Sequence, residues 1–487
     1  FWKCQPFGLI IFRLEIRLNL KMRNLINLLI AACILFPWVS VQAQEEQPNG
    51  PVYIIEAGDS LWGIAQRFGI SMDDLAEANG ITDPGQISIG ARLVIPGLQG
   101  VQGVLVTEEI PFGENLDSLS FRYQIERDML IKLNHFTSPD EAYAGSQVIV
   151  PQREGEAPTR SVGRATVKVN QSLMELAISR GLSPWSLLSA SQRSGGWDLL
   201  PGESIHLEGA AIHDETMGAF PEGVQQVSIA SLPLIQGQTL SLRIAAPDGT
   251  SLTGFLNEQP LNFFPDDDGY VALQGVYALL EPGSYPLSID GTLPDGTPLR
   301  FSQTIYVRDG DYPYDPPLAV DSVTTDIDNN ENENALWAEV VASRTPEKYW
   351  AGMLQSPMPE YLSDCFPSWF GHRRSYNGSG YLFFHTGLDF CGQTGVDIYA
   401  PAPGRVVFVG ELIVRGNATV IDHGWGVYTA YGHQSEIFVS AGDWVETGDL
   451  IGLVGETGRV TGPHLHFEVI VGGVQVDPLQ WLGEEFP

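Results

Sequence analysis

His464-Leu465-His466-Phe467-Glu468-Val469-Ile470-Val471 places two histidines, two residues apart, at the head of an apolar run. Successive side chains on a strand point to opposite faces, so a strand here projects both imidazoles from one sheet face. Upstream, His385-Thr386-Gly387-Leu388-Asp389 follows the apolar stretch Tyr381-Leu382-Phe383-Phe384, and Gly387 favours an extended or looped path. His385 and Asp389 lie on one side of the chain whether it is extended or helical. A lone His433, in Tyr431-Gly432-His433, stands between the two motifs. Four imidazoles and one carboxylate in one glycine-rich, strand-rich stretch are the donor types of a catalytic zinc, which takes three protein ligands and leaves its fourth position to water. His385, Asp389 and one histidine of the final pair complete that set, and the remaining histidines then face the same cavity.

The surrounding segments extend the pattern. Tyr399-Ala400-Pro401-Ala402-Pro403-Gly404-Arg405-Val406-Val407, Val420-Ile421-Asp422-His423-Gly424, Gly442-Asp443-Trp444-Val445-Glu446-Thr447-Gly448 and Thr457-Gly458-Arg459-Val460-Thr461-Gly462-Pro463 follow in order. Together with the histidine motifs they resemble the lysostaphin and LytM-type zinc endopeptidases of bacterial cell walls, peptidase family M23. The resemblance implies a mainly antiparallel-β metallopeptidase domain over 350–487 that acts on peptidoglycan. It implies Zn2+ held by His385, Asp389 and His466, with His433 and His464 as the catalytic pair and Tyr376 as a further donor to the oxyanion. The alternative is a wall-bound, non-catalytic regulator of another hydrolase; such members lack zinc ligands, which this chain keeps. His423 reads as a turn histidine beside the strand 418–421, and His135, His206, His213 and His372 carry no motif.

A chain of 487 residues predicts three or four domains. Its net charge of −33, from 59 acidic and 26 basic side chains, disfavours nucleic acid and anionic lipid surfaces as partners. The chain starts at Phe1, and Met22 is a plausible initiator. Lys21-Met22-Arg23, the apolar run 25–36 and Val41-Gln42-Ala43 read as a secretory signal peptide over 1–43. A retained membrane anchor and a lipoprotein box at Ile30-Ala31-Ala32-Cys33 are the rivals; the short apolar run favours cleavage with no stable span afterwards. The protein is then secreted, to the cell envelope or beyond. Cleavage removes Cys4 and Cys33 and leaves Cys365 and Cys391, an even pair that in an oxidising compartment reads as a disulfide.

Residues 52–96 read strand, helix, helix, strand, with Asp59 as cap of the first helix and Ser71 with Asp74 as a capping box for the second. The unit recurs over 104–152 and, degenerate, over 164–208: Leu61, Leu116 and Leu173 correspond, as do Ser71, Glu126 and Ser183. The third copy carries Ser191 where the others have Asn79 and Asn134. Gly58-Asp59-Ser60-Leu61-Trp62 and Leu75-Ala76-Glu77-Ala78-Asn79-Gly80 make the first copy resemble a LysM (βααβ) module, and the later copies resemble it progressively less. That implies binding of N-acetylglucosamine-containing glycan, with Gly58, Asp59, Ser60 and Ile70 as sugar contacts. Residues 224–309 alternate apolar and polar, with Pro247-Asp248-Gly249 and Pro294-Asp295-Gly296 as hairpin turns, and are expected to form an immunoglobulin-like β-sandwich serving as spacer. Over 310–349 an acidic linker, Asp321 to Glu333, is too polar to bury a core and leads into a helix near 335–343.

Overall fold

The computed structural model describes residues 50–487 except 86, 153–162, 191–194, 196–199 and 208–219. The signal-peptide reading of 1–43, with Met22, Cys4 and Cys33, and the positions Ser191 and His213 lie outside the described residues. No described helix is long and apolar enough to cross a membrane.

The first repeat runs strand Val52–Ile54, helices Leu61–Arg67 and Met72–Ala78, strand Arg92–Val94; the second runs Val104–Glu109, Leu116–Arg122, Arg127–Leu133 and Gln147–Gln152. Their four strands form one sheet, with Val52–Ile54 parallel to Val104–Glu109, and Leu61, Ile64, Leu75, Leu119 and Leu130 share one core. Asn79 and Asn134 do the same job in each copy. Asn79 Oδ1 accepts from Val94 N at 2.7 Å while its Nδ2 donates to Val94 O and Leu75 O, both at 2.8 Å, stapling helix to closing strand. Asn134 repeats this with Ile149 N at 2.6 Å, Ile149 O at 2.9 Å and Leu130 O at 3.0 Å. Ser71 Oγ caps its helix through Asp74 N at 3.0 Å. The first helix is capped not by Asp59 but by Ser60, whose Oγ accepts from Gly63 N at 3.0 Å, because the Asp59 carboxylate is taken by Tyr53 Oη at 2.7 Å and Glu56 N at 2.8 Å. The third repeat keeps the order, Gly163–Thr166, Leu173–Arg180, Pro184–Ala190 and Ser204–Leu207, around its own small core.

The middle region has two antiparallel sheets apart from one short parallel edge. One runs Gln259–Leu261, Ser251–Leu256, Gly283–Thr292, Pro298–Arg308, Leu234–Ile235; the other runs Phe263–Asp266, Gly269–Gly275, Thr239–Ala245, Gln226–Ile229. Leu240, Leu242 and Ile244 of one share a core with Leu287, Ile289 and Phe301 of the other. Pro294-Asp295-Gly296 closes a hairpin, with Leu293 N bonded to Thr297 O at 2.8 Å. Pro247-Asp248-Gly249 does not: the strands it joins lie in different sheets, since Ile244 and Leu256 must reach one core from opposite sides.

The C-terminal sheet orders Leu388–Cys391, His464–Val471, Val427–Gln434, Gly416–Asp422, Gly404–Leu412 and Trp444–Val445, all antiparallel, with Val474–Val476 also paired to His464–Val471. Its core includes Leu388, Phe390, Tyr431, Leu465, Phe467 and Trp481, together with Phe264, Val271 and Leu273 of the middle region. Strand Gly269–Gly275 therefore buries both faces, Ala272 between the two middle sheets and Val271 and Leu273 against the C-terminal domain. Gly275 permits that approach: a Cβ there would stand 2.8 Å from Val476 Cγ1. Trp481 Nε1 donates to Thr239 Oγ1 at 2.9 Å and Thr239 N to Gln480 Oε1 at 2.8 Å across the same seam. The middle region is thus packed onto the C-terminal domain rather than spacing it.

The acidic stretch is not a linker either. Ser322–Thr325 is a 3-10 turn and Ile327–Val340 a helix capped by Asp326, whose side chain accepts from Asn329 N. Composition alone missed it because one stripe suffices: Glu333, Trp337 and Val341 fall at helical spacing and are buried, and the Glu333 carboxylate is fully bonded there.

Candidate metal centre

Asp389 and His466 sit directly opposite in the pairing of Leu388–Cys391 with His464–Val471, which brings their Cβ atoms to about 5 Å. His385 lies just before that strand, its backbone N–H donating to His372 O at 2.8 Å. Gly387 lets the chain turn between them, since a Cβ would come within 2.4 Å of Phe467 O and 2.9 Å of His466 Cε1. The result is a triangle of donors: His385 Nε2 is 3.0 Å from Asp389 Oδ1 and 3.1 Å from His466 Nδ1, and His466 Nδ1 is 3.0 Å from Asp389 Oδ1. All three residues are buried.

The tautomers follow from the outer bonds. His385 Nδ1 donates to Trp369 O at 2.8 Å and His466 Nε2 to Glu468 Oε1 at 3.1 Å, so in the neutral rings the two inward nitrogens are bare lone pairs pointing at one spot. Two facing lone pairs cannot bond each other. A tetrahedral cation with ligand bonds of about 2.0–2.1 Å has ligand–ligand edges of about 3.3 Å, close to this triangle. His385, Asp389 and His466 are a metal-binding triad.

His433 and His464 flank it, with ring centroids 4.9 Å apart, and His433 is 5.7 Å from the His466 ring. His433 Nδ1 donates to Thr457 O at 2.7 Å and His464 Nδ1 to Gly462 O at 2.8 Å, leaving each Nε2 as the basic atom. His464 Nε2 lies 3.6 Å from Asp389 Oδ1. His433 holds a left-handed backbone, φ 62°, a strained geometry for a non-glycine residue. Burial pushes its pKa well below the usual imidazole range, and His464 and His466 add to this. Burial would raise Asp389, but the nearby His385, His466 and His464 hold it well below the carboxylate range.

Glu468 is the residue that the sequence reading passed over. Its Oε1 accepts from Thr386 Oγ1 at 2.7 Å and from His466, its Oε2 accepts from Trp337 Nε1 at 3.2 Å, and Arg415 Nε is 3.7 Å away. Against burial, Arg415 and the His466 bond hold its pKa at about 2. Its signal was present: two residues after His466 on a strand, it shares that face. Trp337 and Glu333 had no such signal, because they come from the helix Ile327–Val340; Glu333 accepts from Val414 N at 2.8 Å and Arg415 Nη1 at 2.9 Å.

The triad opens into a cleft of about 800 Å3 also lined by His433, His464, Tyr376, Arg459 and Asn334. Tyr376 faces this cleft with the Arg459 guanidinium 4.2 Å over its ring. Cys365 and Cys391 form a disulfide, Cα–Cα 5.4 Å, that ties down the stretch carrying His385 and Asp389. His423 is fully buried, its Nδ1 donating to Pro403 O at 2.7 Å and its Nε2 accepting from Thr429 Oγ1 at 2.8 Å, a core role away from the triad. In the first repeat Gly58 and Ser60 are exposed, Asp59 is turned inward as described, and half-buried Ile70 packs on the repeat core.

Residues 383–478 match the model of peptidase family M23, and residues 53–96 and 111–151 match the LysM domain. The chain is 39% identical over 113 residues to the peptidoglycan DD-endopeptidase ShyB of Vibrio cholerae, covering 23% of this chain and 26% of that protein. It is 43% identical over 95 residues to the DD-carboxypeptidase/endopeptidase Mpg of Neisseria meningitidis, covering 20% and 22%. Among solved structures, lysostaphin from Staphylococcus simulans is similar at 34% identity over 20% of this chain and 43% of that one, with a TM-score of 0.20. The chain spans about a quarter of the length of the curated relatives it matches. In one polypeptide, two LysM domains therefore precede a domain of peptidase family M23.

Proposed function

We propose that this protein is a zinc endopeptidase of the cell envelope that hydrolyses peptide bonds in peptidoglycan while its first LysM domain holds glycan. The observation that carries the reading is the converging triad His385, Asp389 and His466 with two further imidazoles beside it. Two nitrogens and one carboxylate oxygen at four-coordinate spacing suit zinc, which supplies an activated water at neutral pH and a Lewis acid for the scissile carbonyl. The chain's own residues do the rest. His433 and His464 each offer Nε2, so with zinc bound one would take the proton of the activated water while the other would help hold the developing oxyanion, with Tyr376 as a further donor. The relatives named for peptidoglycan endopeptidase activity favour the same polymer here. The complete ligand set argues against a non-catalytic regulator.

We read the middle region as an immunoglobulin-like sandwich and assign the domains as 52–96, 104–152, 164–208, 224–309 and 350–487, with the helix Ile327–Val340 joined functionally to the last. The test is the purified chain incubated with peptidoglycan and its products weighed by mass spectrometry. New peptide ends should appear with about one zinc per chain, vanish with chelator and return with zinc. Lysis that persists in metal-free protein defeats the reading.

A further inference from the structure

Three guanidinium groups line the cleft beside the triad. Arg374 Nε is 3.1 Å from Asp315 Oδ2, and Arg415 Nη1 is 2.9 Å from Glu333 Oε1, so both face a carboxylate. Arg459 differs. Its Nη1 donates only to neutral oxygens, Thr324 O at 3.2 Å and Asn330 Oδ1 at 3.4 Å, and it pairs with no carboxylate among the described residues. Its guanidinium carbon stands 4.2 Å from the Tyr376 ring centroid, a contact that orients the cation without neutralising it.

The placement is firm. Arg459 N donates to Val414 O at 2.8 Å, and the neighbouring Gly458, at φ +77°, fits so tightly that a Cβ would stand 2.4 Å from Gly416 N. The same loop supplies Thr457 O, the acceptor that orients His433. A half-buried cation loses hydration without gaining a directly paired carboxylate, in a chain with 59 carboxylates available to provide one. Burial, with Arg415 and Arg374 nearby, lowers its pKa against the opposing pull of Tyr376 and Glu333. A ligand carboxylate reaching the cleft would offset that loss and match the planar fork of an arginine.

We propose that Arg459 is a substrate-binding residue that selects peptides carrying a free carboxylate close to the scissile bond. The inference rests on the endopeptidase reading above. Its test uses the full zinc-loaded chain and two soluble substrates: a cross-linked stem-peptide dimer released from peptidoglycan, and the same dimer with its carboxylates converted to amides. The wild type should favour the carboxylate form in kcat/KM by about tenfold to a hundredfold, the range for a hydrogen bond to a charged group. Arg459→Gln should bring that ratio close to one, and Arg459→Lys, which keeps charge but loses the fork, should retain part of it. Equal kcat/KM for the two forms in the wild type overturns the inference while leaving the endopeptidase intact. So does an Arg459→Gln loss that falls equally on both forms, which would make the residue a prop for the Tyr376 and His433 loop. Cleavage of neither form by the wild type overturns the endopeptidase reading and this inference with it.

Discussion

His466 receives opposed demands, and they decide how the metal centre responds to pH. In the metal-free protein burial pulls its pKa down, but hydrogen bonds to Asp389 and Glu468 raise it to about 9. An imidazolium has no lone pair, so binding at Nδ1 must expel a proton at any pH below that value. Zinc affinity should therefore fall about tenfold per pH unit as pH drops from 9 toward 7. Competition with a chromophoric chelator measures this, and a flat profile would mean that His466 is already neutral. Substitutions separate the roles of the histidines. His466→Ala should lose the metal, whereas His433→Ala and His464→Ala should keep it and lose turnover by about a hundredfold or more. Equal zinc loss in all three variants, measured by metal analysis after dialysis, would show that the ligand assignment is wrong.

The helix Ile327–Val340 is the element whose role most exceeds its sequence. It buries Glu333 against Val414 and Arg415 and reaches Glu468 through Trp337, so it braces the acceptor that orients His466. Removing one partner of a buried ion pair costs about 3–5 kcal/mol, which is the loss of stability expected for Glu333→Ala in thermal or denaturant melts. Trp337→Phe should keep the packing but weaken zinc, by less than the roughly tenfold to hundredfold expected for losing Glu468 itself, because Trp337 reaches His466 only through that carboxylate. For the same reason a chain cut at residue 350 should hold zinc more weakly than one cut at 321. The disulfide is the second device. Its closed loop, with a sequence separation of 26, is worth about 3 kcal/mol in the chain-entropy model, so mild reduction should lower the melting temperature.

Among the described residues the parts are joined by buried and half-buried side chains. Gln303 of strand Pro298–Arg308 accepts from Gly113 N at 2.8 Å and donates to Glu114 O at 2.8 Å and Pro111 O at 3.2 Å. Phe112 packs on Phe220 and Phe301, and Tyr143 stacks on Tyr306 at 5.1 Å. Gly113, Glu114 and Asn115 are the repeat counterparts of Gly58, Asp59 and Ser60. The face that is open in the first LysM domain is thus covered in the second. Calorimetric titration with a soluble N-acetylglucosamine oligomer should saturate at one site per chain, and two equivalent sites would contradict the covering. Deleting residues 50–152 should also lower stability, because Phe301 would lose Phe112, and Gln303 its bonds to Pro111, Gly113 and Glu114.

The sequence by itself determined the pieces. Local spacing wrote the βααβ repeats, the strand that presents His464, His466 and Glu468 on one face, and the glycine that lets His385 and Asp389 approach it, because such features depend on periodicities of a few residues. It also contained the pair Cys365 and Cys391. Only the tertiary structure decided how the pieces meet. That the acidic stretch folds as a 3-10 turn and the start of the helix Ile327–Val340, that Trp337 reaches Glu468 over 131 positions, that Gly269–Gly275 buries both faces and that Arg459 stands beside Tyr376 are facts of long-range packing. A carboxylate such as Glu333 reads as solvated until the Val414 and Arg415 donors that compensate its burial are brought to it, and those donors lie some eighty residues away.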